Sequence, residues 1–169
     1  MDDKDNIRIM EKFEITEVSD GGDLSEVKAL FLEYARSLDF NLCFQSFERE
    51  LVELPGAYAP PEGRLLIARH NGMTVGCTAL HKIDDETCEM KRLYVRPATR
   101  GMNLGRMLAE AVIREARKIG YHRMRLDTIT SMTAAIELYR SLGFYEIEPY
   151  RPNPIPGALY MELILDRLG

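Results

Sequence analysis

Several things are scarce in these 169 residues, and each scarcity removes a class of explanation. No apolar run approaches the roughly 18 residues that a membrane-spanning helix needs. The N-terminus, MDDKDNIRIM, is acidic and lacks a signal-peptide core, which points to the cytoplasm. Cysteine occurs three times, at Cys43, Cys77 and Cys88, an odd number with no CxxC pair. That argues against a disulfide framework and for buried free thiols in a reducing compartment. His70, His81 and His122 show no metal-ligand spacing with the cysteines, so no metal is expected. Two phosphate-binding fingerprints are missing as well, the dinucleotide pattern G-x-G-x-x-G and the Walker loop G-x-x-x-x-G-K-[ST]. Basic and aromatic residues do not interleave and the pI is near 5.3, so nucleic acid is a poor partner.

What is present suits one domain, residues 1–169, with an ordinary hydrophobic fraction of 46%. The net charge of −5 is unevenly spread. Residues 91–125 hold ten Lys and Arg against Glu110 and Glu115, a surplus of eight positive charges. The remainder is thirteen negative. A basic island in an acidic chain fits a small polyanion better than DNA. The acidic remainder leans weakly towards a cationic acceptor.

Hydrophobic period gives the elements. FEITEV (13–18) alternates as a strand, and Leu24, Val27, Leu30, Phe31 and Tyr34 recur at helical spacing. A short helix over Ser46–Leu54 stops at Pro55-Gly56. Leu65–Arg69, Thr74–His81 and Thr87–Val95 form a meander, its first turn marked by Asn71-Gly72. Leu104 to Ile119 is an amphipathic helix ended by Gly120, and Met124–Asp127 is a strand parallel to the one before that helix. A helix over Met132–Leu142 and strands at Phe144–Ile147 and Leu159–Leu163 complete the chain. The order predicts a single α/β domain. Its sheet is mixed and mostly antiparallel, of six to seven strands, with a central parallel β–α–β unit and flanking helices.

EMKRLYVRPATRGMNLG (89–105) carries the chemistry. A strand ends at Val95, Pro97 turns the chain, and a basic loop with Gly101 and Gly105 opens into the long helix. Helix-start N–H groups lack internal partners and carry partial positive charge. Glycines let a phosphate approach, and Arg100 and Arg106 add full charges. The segment resembles the acyl-CoA loop [QR]-x-x-G-x-[GA] of the GNAT N-acetyltransferase superfamily. Arg100 and Gly105 match the first and last positions, and Asn103 replaces the middle glycine. Asn tolerates the left-handed conformation better than most residues, so the loop is expected to close. AAIELYRSLGFYEI (134–147) resembles the same superfamily's A-x-x-L-Y-x-x-x-G-F segment through Ala135, Leu138, Tyr139, Gly143 and Phe144.

The resemblance implies acetyl transfer from acetyl-CoA to a primary amine, of a small molecule or of a peptide or protein. It implies a cofactor site at Leu93, Tyr94, Val95, Arg100, Gly101, Met102, Asn103, Leu104, Gly105 and Arg106. A bulge around Arg92–Tyr94 would free a backbone N–H for the oxyanion. Tyr139 would be the general acid for the thiolate. Glu89 would be the general base, and geometry supports it. At about 3.3 Å per residue, Glu89 to Val95 spans about 20 Å, the reach of an extended pantetheine arm. Cys88 points to the opposite face from Glu89. Direct transfer in a ternary complex is therefore expected rather than an acyl-enzyme. Glu50, Tyr58 and the loops 54–62 and 150–157 are acceptor candidates by position. The superfamily also allows a homodimer through the C-terminal strands. The competing reading is a non-catalytic acyl-CoA-binding or regulatory module on the same fold.

Overall fold

Strand alternation decides the layers of this protein, seen here in a computed structural model that describes residues 13–18, 20–38, 41–42 and 46–166. In β2 (Arg64–His70), Leu65 and Ile67 pack on one side of the sheet while Leu66 and Ala68 pack on the other. Neighbouring strands repeat the pattern, so the sheet is buried on both faces and needs helices on both. α1 (Gly21–Ser37) and α2 (Phe47–Glu53) cover the first face through Val27, Leu30, Phe31 and Phe47. α3 (Leu104–Ile119) and α4 (Thr133–Ser141) cover the second through Leu108, Val112, Ala116, Ile136 and Tyr139.

The remaining strands are β1 (Phe13–Glu17), β3 (Met73–Lys82), β4 (Thr87–Val95), β5 (Arg123–Ile129), β6 (Tyr145–Ile147) and β7 (Ala158–Ile164). They lie in the order β1-β2-β3-β4-β5-β7-β6. Among the described strands only β4 and β5 run parallel, joined by the crossover helix α3. The β2–β3 turn has positive φ at both Asn71 (51°) and Gly72 (79°), as a two-residue type I′ turn requires. The expected fold class is the observed one, with element ends displaced by a residue or two where helices and strands fray. Cys77 and Cys88 are buried free thiols; Cys43 lies outside the described residues.

Two features position the site. First, β4 and β5 pair only over Thr87–Glu89 and Arg123–Arg125 and then part. β5 continues against β7 as far as Ile129, so β4 beyond Glu89 leaves an open edge in the middle of the sheet. Second, the β3–β4 register slips between Cys77 and Ala79, opposite Tyr94 and Lys91. Arg92 takes φ +60° there. The extra residue of this bulge reverses the facing of the strand. Glu89 and Lys91 face the α1–α2 side before it, and so do Arg92 and Tyr94 after it. α3 can lie close to the sheet because Gly76 has no side chain. A Cβ there would stand 2.9 Å from the Tyr94 carbonyl oxygen and 3.0 Å from Leu108.

Candidate active site

The helix start forms the first part of the site. A 3₁₀ turn at Pro97–Thr99 brings the chain off β4. Gly101 (φ +81°) and Asn103 (φ +67°) then turn left-handed into α3. Asn103 adopts the backbone expected of the glycine it replaces, and its side chain makes no capping bond. The first N–H groups of α3 therefore face outward without a side-chain acceptor. They open into a groove of about 710 Å³ between the α3 start and α4. Val95, Arg100, Gly101, Asn103, Leu104, Gly105 and Arg106 line it. The other expected loop contacts lie elsewhere. Leu93 lines the β4–β5 split. The Tyr94 ring packs under α1, with its hydroxyl 3.4 Å from Glu33. The Met102 side chain packs against the core of β2, β3 and α3. The Tyr94 and Met102 side chains are thus held against the core rather than in the groove.

The β4–β5 split is the second part. It is a narrow cleft of about 100 Å³ between Met90–Leu93 and Leu126–Ile129. Tyr139 of α4 and Tyr34 of α1 reach into it. Burial raises the pKa of the Tyr139 phenol, and the nearby Tyr34 and Asp127 raise it further, so the hydroxyl holds its proton. Its ring also packs on Phe144, 5.7 Å between centroids, so the residue is both core and cleft wall. The periodicity of the first helix placed Tyr34 only in the core; no signal in the sequence marked it for the cleft.

On the α1–α2 face lies a third cavity, of about 230 Å³, between α2, the 3₁₀ turn Gly56–Tyr58, His81, Lys91 and Arg151. Glu50 and Tyr58, expected here by position, do line it. Arg92 holds Glu50 through two bonds of 2.9 and 3.2 Å, and the Tyr58 hydroxyl donates to Glu50 at 2.7 Å. Arg49, Lys91 and Arg151 line it together with Glu50 and Glu53, so its walls carry both signs of charge.

Glu89 lies beneath that pocket and lines neither cavity; its side chain is 0% exposed. His81 Nε2 stands 2.7 Å from one carboxylate oxygen. The Tyr150 hydroxyl donates to the other at 2.5 Å, joined there by the Arg151 guanidinium. Arg151 reaches on to Asp127 at 3.2 Å, and Asn153 donates to the same carboxylate. The proline-rich segment 150–157 is thereby strapped across the sheet. Burial pushes the Glu89 pKa up, but the His81 bond and the charges of Arg151 and Lys91 outweigh it and hold it at about 2. In this arrangement Glu89 is a weak base with both oxygens engaged. The sequence marked Glu89 itself, but neither the strap nor His81 beside it. Cys88 faces the α3 core as expected, where burial pushes its thiol up to about 12.

Comparison with known proteins places the chain among acetyltransferases. The profile of the acetyltransferase (GNAT) family matches residues 27–144. An uncharacterised N-acetyltransferase of Schizosaccharomyces pombe is 42% identical over 147 residues, covering 86% of this chain and 90% of that protein. An IAA acetyltransferase of Azospirillum brasilense is 41% identical over 107 residues, covering 62% of this chain and 69% of that one. An acetyltransferase from Streptococcus agalactiae shares the fold at TM-score 0.74 and 24% identity, over 91% of this chain and 99% of its own. An acetyltransferase structure from Salmonella typhimurium, solved with acetyl-CoA, superposes at TM-score 0.66 and 23% identity, over 92% of this chain and 95% of its own. With the family profile spanning most of the domain and a relative 42% identical over 86% of the chain, the chain belongs to the acetyltransferase (GNAT) family.

Proposed function

We propose that this protein transfers an acetyl group from acetyl-CoA to a primary amine, the amine attacking the thioester directly in a ternary complex. The observation that carries the reading is the meeting of two cavities at one strand. The β4–β5 cleft and the pocket under α2 both reach β4 at Lys91. A helix start suited to a diphosphate lies along the same strand. The diphosphate would sit at Gly101–Arg106, with Arg100 and Arg106 as counter-charges. The pantetheine arm would run along the open edge of β4 as an added strand does. The acetyl group would then lie beside the bulge, where a backbone N–H around Arg92–Tyr94 would receive the oxyanion. Tyr139 would give its proton to the departing thiolate. Glu89 would fix His81 and Arg151 around the acceptor.

At about 230 Å³ the acceptor pocket is smaller than the roughly 300–1,000 Å³ of drug-sized sites. That favours a small amine, or a single terminal amine of a peptide. The cytoplasm, with its acetyl-CoA, is the setting this reading asks for, and a dimer through the C-terminal strands is compatible with it. Calorimetric titration with acetyl-CoA, using NAD and ATP as controls, tests the reading. Micromolar binding of acetyl-CoA alone is expected; equal binding of ATP or NAD, or no binding of acetyl-CoA, defeats it.

A further inference from the structure

An amine of ordinary basicity arrives as an ammonium and must lose a proton before it can attack. The groups around the acceptor pocket are nearly all committed. Glu89 lines neither cavity and accepts from Tyr150 and Arg151 on one oxygen, with His81 on the other. His81 has its Nδ1 3.0 Å from the Lys82 carbonyl and its Nε2 on Glu89. Both ring nitrogens are therefore already engaged with protein oxygens. Glu50 is occupied by Arg92 and Tyr58. Glu53 sits at the rim with Arg49 at 2.8 Å. The guanidiniums of Arg49 and Arg151 keep their protons.

Lys91 is placed differently. Among the described residues it alone lines both the acceptor pocket and the β4–β5 cleft. Its side chain is 10% exposed, and the carboxylate it pairs with, Glu89, stands 4.0 Å off, beyond hydrogen-bond length. The bulge puts Lys91 and Arg92 on one face in succession, so a fixed cation stands beside it on its own strand. Arg151 approaches from the strap. Glu50 of α2 and Glu89 oppose them. His81 and Tyr58 face it across the pocket, and Asp127, Tyr34 and Tyr139 across the cleft. Burial, then Arg92 and Arg151, lower the Lys91 pKa to about 8 against the pull of Glu89 and Glu50.

We propose that Lys91 takes the proton from the acceptor's ammonium. The inference rests on the acetyl-transfer reading. The neutral nitrogen then forms the N–C bond, and the tetrahedral intermediate collapses as the C–S bond breaks. Tyr139 protonates the thiolate and is itself restored by the second nitrogen proton. Lys91 releases the first proton to solvent, so each turnover yields amide, CoA thiol and one proton.

The test uses the full chain and follows CoA thiol release from acetyl-CoA. The probes are the standard amino acids, spermidine, tyramine and an aminoglycoside. With a probe that turns over, kcat/KM should rise with pH through an apparent pKa of about 8. Lys91→Arg keeps the charge but holds its proton. It should lose about 10²–10⁴-fold in kcat, lose the limb near pH 8, and bind acetyl-CoA as before. Lys91→Arg within about threefold of wild type shows a charge that merely positions the acceptor, and overturns the inference. Lysine ε-carbon NMR titration of the wild-type chain needs no variant to fold; a Lys91 titration above about 10 also overturns it. Acetyl-CoA binding without transfer to any probe counts against the acetyl-transfer reading itself, and the inference goes with it. Transfer with an ordinary Lys91 pKa sinks the inference alone.

Discussion

Replacing Glu89 with Gln isolates the charge at the centre of the site while keeping its shape. The amide oxygen can keep Tyr150 and Arg151. The amide nitrogen then faces His81, which accepts the bond by leaving Nε2 bare and keeping the hydrogen on Nδ1 for the Lys82 carbonyl. What is lost is the charge that balances Arg151 and Lys91. Removing one partner of a buried pair costs about 3–5 kcal/mol, and Arg151 retains Asp127, so the lower end applies. The pH linkage gives a similar size: lowering the Glu89 pKa from 4.5 to about 2 contributes roughly 3 kcal/mol. Because the folded-state pKa is depressed, that stability is present above the unfolded value and is lost as pH falls towards 2. Urea unfolding of wild type and Glu89→Gln should therefore differ by about 3 kcal/mol at pH 7. By pH 3 the gap should shrink by about 2 kcal/mol, wild type losing what the variant never had. A gap below about 1 kcal/mol at pH 7, or one that stays constant with pH, refutes this account of Glu89.

Three further substitutions probe separate parts of the site. Gly76→Ala drives a methyl against the Tyr94 carbonyl and Leu108; it should cost about 1–3 kcal/mol, a fall of several degrees in Tm by calorimetry, and weaken acetyl-CoA binding because α3 carries the loop. Tyr139→Phe should reduce kcat at least about tenfold and leave the acetyl-CoA Kd unchanged in titration; an unchanged kcat removes the phenol from the chemistry. Arg100→Ala deletes a charge that lines the groove and should raise the acetyl-CoA Kd about tenfold or more, an effect that fades as salt is added.

Much of the fold was legible because its signals are local. Asn71-Gly72 fixes a turn, alternation fixes strands, and the periodic apolar face of α3 fixes the crossover. The phosphate-type loop was legible for the same reason: Arg100, Gly101, Asn103 and Gly105 act within one turn of chain. The surroundings of Glu89 were not. His81 is eight residues away across a hairpin, and Tyr150 and Arg151 are about sixty residues downstream on an irregular segment whose path no periodicity reveals. The residue type was visible, but its ionisation is set by neighbours that only the sheet register brings together. Lys91 shows the same gap. Its sequence neighbours mark it as one cation of a basic island, whereas burial and the slip in β4 hold its pKa down.

The short β4–β5 seam has a mechanical meaning. Three residue pairs hold β1–β4 to β5–β7 along the sheet, and beyond them the two leaves are joined mainly through α3, the core beneath them and the strap. A molecule lying in the split would act as mortar between the leaves, filling the place of the missing strand pairing. Occupancy would then stiffen the whole sheet rather than one loop. The line along which the middle of the sheet parts is the line along which it would be reinforced when the protein works.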